Sequence, residues 1–320
     1  MLPFAVRVLR KLRKIVDKSN YREDGGMRHL VMIHREEASE LIHDLLADDQ
    51  PRMISRFGSV ELSVVRRYYN RINAALPVRA WRFMMARSGP FWWDDDVREP
   101  ISRNAGVFPN DDQTLDRFSQ LYLDVFPEID LLGSWRAGEW DLREELAHVK
   151  MVGLLDLEPF RNRRPWSRVL AGKRVLVVHP FVKSIQSQYD KRTLLFDDPE
   201  LLPEFDLDLL PAVQSIGGSN GRFKDWFEAL EYMKDEMASR EFDVAIIGAG
   251  AYGMPLAAHA KRLGKKGVHL GGVTQLLFGI RGRRWDERTY YNWLVNEHWV
   301  RPAAEEKPKA ADKVEGACYW

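Results

Sequence analysis

The chain is short of several features that would fix its class at once. It has a single cysteine, Cys318, so no internal disulfide can form, and no cysteine–histidine cluster has zinc spacing. That usage suits a reducing compartment, and a cytoplasmic location is expected. No apolar run approaches the roughly 20 residues needed to cross a bilayer. The first residues also lack the apolar core and small-residue cleavage site of a secretory signal. There is no charge excess: 48 lysines and arginines face 47 aspartates and glutamates, a net charge of +1. That balance gives no global drive toward nucleic acid, and no nucleic-acid partner is expected. No internal repeat is present. What remains is the composition of an ordinary globular protein of 320 residues, ample to bury a core.

One local bias breaks the balance. Over residues 4–18, Phe4, Val8, Leu9, Leu12, Ile15 and Val16 recur at helical spacing, and Arg7, Arg10, Lys11, Arg13, Lys14 and Lys18 fill most of the rest. This is a basic amphipathic helix. It can lie on an anionic membrane surface as a peripheral contact, or pack on its own domain with a solvated basic face. A polar linker ending in Gly25-Gly26 follows.

Beyond the linker, helical periodicity appears at 35–47, 61–69, 110–126, 182–195, 223–240 and 253–263. Apolar or β-branched runs at 53–57, 129–135, 175–178, 206–210, 242–248 and 267–270 read as strands. The aromatic stretch 81–109 is punctuated by prolines and reads as irregular, with short helical pieces. Strands alternating with helices predict an α/β, Rossmann-like open parallel sheet with helices on both faces. The expected organisation is helix and linker over 1–26, one α/β domain over 27–302 with a sub-boundary near 165–172, and a disordered tail over 303–320.

The clearest motif is Gly248-x-Gly250-x-x-Gly253, which follows a strand and opens a helix. In that setting glycines let a phosphate approach the backbone at a helix N-terminus, with Tyr252 beside it. Pro255 fits the first turn of the helix. A dinucleotide site would place an acid about 20 residues further on, to hold the ribose. Here the next strand ends in His269-Leu270-Gly271-Gly272, without an acid. A phosphate or sugar-nucleotide contact is therefore preferred over a nicotinamide cofactor. A turn serving only close helix–strand packing is the third reading.

Other polar residues follow strands and would converge on the same crevice. These are His179, Ser184 and Gln188 after 175–178, and Thr274 and Gln275 after 267–270. The basic run 281–285 can bind a diphosphate or be a solvated surface. Asp94, Asp95 and Asp96 follow Trp92-Trp93 and could hold a metal, though a solvated loop suits them as well. Glu139 follows a strand end and is a second candidate carboxylate, or a helix-start glutamate.

Arg56-Phe57-Gly58-Ser59-Val60-Glu61 places an arginine and a carboxylate either side of a tight turn. The arginine can neutralise a phosphate, and the glutamate can act as a base or metal ligand. Here the chain resembles the GT-D class of bacterial glycosyltransferases, whose first strand ends in an Arg-Tyr/Phe-Gly-Asp-Gly-Glu type of turn. Arg56, Phe57, Gly58 and Glu61 match, while Ser59 and Val60 replace the aspartate and the second glycine. The stretch 248–285 is similar to that of uncharacterised proteins associated with surface-polysaccharide gene sets. The resemblance implies transfer of a sugar from a nucleotide-sugar donor to a glycan or lipid-linked acceptor. Arg56, Gly58, Ser59, His179, Ser184, Gln188, Gly248, Gly250, Tyr252, Gly253 and Gln275 would hold substrate, and Glu61 and Glu139 would serve catalysis. In that class the Asp-x-Glu pair is associated with a divalent metal; a manganese or magnesium ion is a candidate cofactor here, and Ser59 in place of the aspartate counts against it. The alternatives are an NAD(P)-dependent oxidoreductase on the same glycine turn, and a non-catalytic scaffold of polysaccharide assembly.

Overall fold

The computed structural model describes residues 3–16, 33–215, 221–307 and 319–320. The linker expected at 19–26 and most of the tail lie outside them. Seven strands form one parallel sheet: β1 (Arg52–Arg56), β2 (Leu131–Ser134), β3 (Lys150–Gly153), β4 (Arg174–His179), β5 (Asp206–Pro211), β6 (Val244–Ile247) and β7 (Lys266–His269). Their order is β3-β2-β1-β7-β6-β4-β5. The helices are α1 (Pro3–Val16), α2 (Arg35–Ala47), α3 (Ser59–Ile72), α4 (Leu76–Met84), α5 (Asp95–Arg103), α6 (Asp112–Val125), α7 (Val182–Tyr189), α8 (Trp226–Ala238), α9 (Gly253–Arg262), α10 (Thr274–Leu277) and α11 (Arg283–Asp286). This is an α/β, Rossmann-like open sheet, as the alternation of patterns predicts.

Both faces of the sheet are covered, and the strands alternate between them. Met53, Leu132, Leu176, Val178, Ala245 and Ile247 point into a core shared with α3, α5, α6, α8 and α9. Ile54, Leu131, Val175, Val177, Val244 and Ile246 point the other way, against α2, α7 and Trp166. Two-sided burial explains why the central strands read as continuous apolar runs. Two helix starts follow local capping chemistry. Asp111 accepts from the Thr114 N–H at 2.8 Å, and Asp225 from the Glu228 N–H at 2.7 Å.

The sub-boundary expected near 165–172 falls where the chain crosses from the edge strand β3 to β4 in the other half of the sheet. It is a short 3-10 turn, Trp166–Leu170, with Trp166 fully buried. β3 itself escapes the sequence pattern, being four residues long with an exposed lysine at its start. The tail is corrected where it is described: residues 303–307 contain a 3-10 turn, and Tyr319 and Trp320 pack on the body of the protein.

One contact in this framework is unusually close. A Cβ at Gly267 would lie 2.4 Å from the Ala257 carbonyl oxygen and 2.8 Å from its Cα. β7 and α9 thus meet backbone to backbone, and neither can yield by a rotamer change. Gly267→Ala is expected to cost about 2 kcal/mol in urea unfolding, with the fold retained. A loss below about 0.5 kcal/mol would mean that α9 can slide freely on the sheet.

Candidate functional site

The connections from β4 and β6 leave in opposite directions, one outward to β5 and one back to β7. Such a reversal opens a crevice at the C-terminal ends of the strands. A crevice of about 1160 Å³, counting space open to solvent, lies there. Its walls come from the ends of β1, β4, β5, β6 and β7, with Trp135 following β2.

The glycine turn forms one wall, but its glycines do different work. A Cβ at Gly248 would lie 2.5 Å from the His179 ring, and one at Gly253 would lie 2.2 Å from the His269 ring. These two positions are glycine because an imidazole occupies the space. Gly250 has nothing within 4 Å, but its φ of +54 lies in the left-handed region, where only glycine is unstrained. Gly248 and Gly250 line the crevice, whereas Gly253 lies behind the lining and packs on His269.

The two histidines end β4 and β7, on either side of β6, and are nearly fully buried. His179 Nδ1 accepts the Phe181 N–H at 3.0 Å. A nitrogen that accepts carries no proton, so the neutral ring holds its hydrogen on Nε2. Burial pushes the His179 pKa down to about 3. His269 Nδ1 lies 3.3 Å from Ser55 Oγ, and burial, then the Arg56 charge, lowers it to about 3 as well. Near neutral pH both are uncharged, and His179 is a fixed hydrogen-bond donor on the crevice wall.

Arg56, at the end of β1, supplies positive charge. Its Nε and Nη2 donate to the Phe57 carbonyl at 3.2 and 2.8 Å, and its guanidinium lies 5.5 Å from the Trp135 ring centre. Burial lowers its pKa, and attraction to Glu61 opposes that shift without cancelling it. From the run 281–285 the fold selects one member. Arg281 and Arg283 pair with Asp286 and Glu287, while Arg284 lines the crevice and donates to the Tyr319 hydroxyl at 2.6 Å.

Among the described residues that line the crevice, Glu61 is the one carboxylate side chain. It occupies the third position of α3 and folds back over Gly58, where a Cβ would lie 1.9 Å from its Oε2. The fold thereby uses Glu61 at the α3 N-terminus, where a negative charge is favourable. Ser59 opens α3 and also lines the crevice.

Besides Gly253, three expected site residues are corrected. Glu139 is fully buried and does not line the crevice; it accepts from Ser134 Oγ and from the N–H groups of Trp135 and Arg136 at 3.2 and 3.1 Å. It caps its own turn. Burial raises its pKa, and these hydrogen bonds oppose that shift without cancelling it. Ser184 turns to the chain near 303, donating to Glu306 and accepting the Ala303 N–H at 2.9 Å. Gln188 donates to the carbonyls of Gly279 and His298 at 3.0 and 3.1 Å. Both tie α7 to later segments outside the crevice.

Tyr252 and Gln275 do reach the lining, as anchored parts of the wall. Tyr252 stacks on Trp226 at 4.7 Å, and its hydroxyl lies 2.9 Å from Ser215 Oγ. Gln275 accepts from Trp285 Nε1 at 3.3 Å and donates to the Tyr319 carbonyl at 3.1 Å. Its role is to hold Tyr319. The pair Tyr319–Trp320 was not among the expected site residues, yet both line the crevice, with Trp320 edge-on to Phe181 at 5.8 Å. Two adjacent aromatics closing a stretch rich in alanine, glutamate and lysine were the available signal.

A hard cation wants several oxygen ligands; among the described lining residues Glu61 is the one carboxylate side chain, and it already covers Gly58. Among the described residues, the group whose ligand atoms fall within 4.8 Å of one another is Glu40, His43 and Asp44 on α2, outside the crevice. The triplet 94–96 serves structure: Asp94 accepts from Arg67 Nη1, Arg10 Nη2 and Trp92 Nε1, each at 2.7 Å. Comparison with family models, with characterised proteins and with solved structures returns no match.

Proposed function

We propose that the chain is a metal-independent glycosyltransferase that takes a nucleotide-sugar donor in this crevice and passes the sugar to a glycan or lipid-linked acceptor. The observation that carries the reading is the charge pattern of the lining. Arg56 and Arg284 share the lining with one tethered carboxylate, a neutral imidazole and a glycine turn. Such a surface suits a diphosphate whose charge grows as it leaves. Trp135, Tyr319 and Trp320 offer stacking faces for a base or sugar.

In the proposed reaction the acceptor hydroxyl oxygen attacks the anomeric carbon of the donor sugar. The bond from that carbon to the diphosphate oxygen breaks, and its electron pair leaves with the nucleoside diphosphate. Arg56 and Arg284 stabilise the leaving charge, and His179 Nε2–H donates to an oxygen of the donor. Glu61 takes the acceptor proton. An open crevice beside Glu61 favours this reading over an inert scaffold, and the lack of an acid after β7 disfavours a nicotinamide cofactor.

Isothermal titration against a panel of sugar nucleotides, with manganese and then with a chelator, tests the proposal. Saturable binding of at least one donor, unchanged by the chelator, is expected, followed by turnover with acceptor. Tight binding of NADH or NADPH in place of any sugar nucleotide would move the protein to the oxidoreductases. Silence across the whole panel would remove the transferase reading.

A further inference from the structure

Helix α1 is amphipathic in two directions. Val6 and Leu9 pack on a cluster of Phe83, Phe91 and Trp92, with Ala80 of α4 alongside. Arg10 pairs with Asp94 and Asp96, and Arg13 donates to the Ser88 carbonyl at 3.0 Å with its guanidinium 4.6 Å from the Phe83 ring centre. That face holds α1 to the body. On the other side Phe4, Val8, Leu12 and Ile15 recur every third or fourth residue and are exposed, Phe4 by 77% and Ile15 by 69%. Arg7, Lys11 and Lys14 flank them and are also exposed.

Helix α4, against which α1 packs, repeats the arrangement. Its buried side carries Phe83, while Val78, Trp81 and Met85 form an exposed stripe and Leu76 lies exposed at its start. Arg82 and Arg87 are exposed beside them, the latter 4.8 Å from the Trp81 ring centre. The distribution of acids is one-sided. Neither 3–16 nor 62–93 contains an aspartate or glutamate. Four of the basic side chains turned toward the body pair with acids: Arg10 and Arg67 with Asp94, Arg66 with Asp141, and Arg71 with Asp116. Those facing outward, Arg7, Lys11, Lys14, Arg82 and Arg87, form no salt bridge to another described residue.

We infer that α1 and α4 together form one docking surface for an anionic lipid bilayer. Large exposed apolar side chains interleaved with cations that pair with no described acid match an interface of acyl chains beneath negative headgroups. A second copy of the chain does not suit this surface, because its own cations would face each other. No described helix is long and apolar enough to cross a membrane, so the contact is peripheral. The inference stands apart from the crevice and from the reaction proposed for it.

Co-sedimentation of the full chain with vesicles tests it, using phosphatidylcholine alone and phosphatidylcholine mixed with phosphatidylglycerol. Binding is expected only to the mixed vesicles, weakening as salt is added. The triple variant Arg7→Glu, Lys11→Glu, Lys14→Glu is expected to lose at least about 100-fold in affinity. Trp81→Ser with Met85→Ser is expected to lose about tenfold, although α1 is untouched. Thermal unfolding of each variant identifies any that fail to fold, and the salt titration of the parent stands independently of them. Equal binding to neutral and anionic vesicles overturns the inference, and so does full binding by the α4 variant. Concentration-dependent dimerisation abolished by these substitutions, without vesicle binding, assigns the surface to a second copy.

Discussion

Lowering the pH from 7 to about 5 is expected to cost the fold roughly 4 kcal/mol through two side chains, His179 and His269. Both imidazoles are buried in the folded protein and pushed down to about 3. In the unfolded chain a histidine titrates near 6.5. Between these values the unfolded chain binds more protons, so stability falls as the pH falls. The contribution is complete above about pH 6.5 and is lost progressively down to about pH 3. Each residue loses about 1.4 kcal/mol per pH unit across that window, or about 2 kcal/mol by pH 5. Glu139 and Glu158, raised by burial, work in the opposite sense as they approach protonation. The slope must therefore be read residue by residue. Urea unfolding at several pH values should show a steep acid loss in the parent and about half that slope in His269→Gln. An unchanged slope in that variant would show that His269 is not held neutral by burial.

These two histidines mark the boundary of what the sequence could reveal. The alternation of strands and helices was legible because two-sided burial leaves continuous apolar runs such as 175–178. The glycine turn was legible as a turn, but not its purpose. Gly248 faces His179 because β6 lies beside β4, and Gly253 faces His269 because α9 packs on β7. Neither neighbour follows from chain order. Ser184 and Gln188 follow a strand, but that position does not say which face of α7 turns to the crevice. That face is taken by residues 279, 298, 303 and 306. Arg284 could not be told from its neighbours in a basic run until Arg281 and Arg283 were seen to have acidic partners. Tyr319 and Trp320 sit in the crevice through bonds to Gln275, Arg283 and Arg284, contacts that a search for periodic patterns does not seek.

Arg56→Ala is expected to weaken donor binding at least about 100-fold while leaving the fold as stable as before, or slightly more so. Burial pulls the Arg56 pKa down, so the free protein already bears the cost of holding this cation out of water. Glu61 offsets that cost only in part. Two guanidinium nitrogens are engaged with the Phe57 carbonyl, and a Cβ on Gly271 would lie 2.7 Å from Nη1. The group is thus oriented before any ligand arrives, and a diphosphate would meet a fixed charge in a poorly hydrated wall. Removing the side chain relieves the apo protein and deprives the ligand, so affinity and stability should move apart. Arg56→Lys keeps the charge but not the planar fork, and should fall between parent and alanine variant. Arg283→Ala, whose partner is Glu287, serves as the control and should bind as the parent does. Titration calorimetry with whichever sugar nucleotide binds the parent, paired with urea unfolding of each variant, measures both quantities. Unchanged affinity in Arg56→Ala would move the diphosphate away from the end of β1. A parallel loss of stability would mean that Arg56 is a structural cation and not a ligand-binding one.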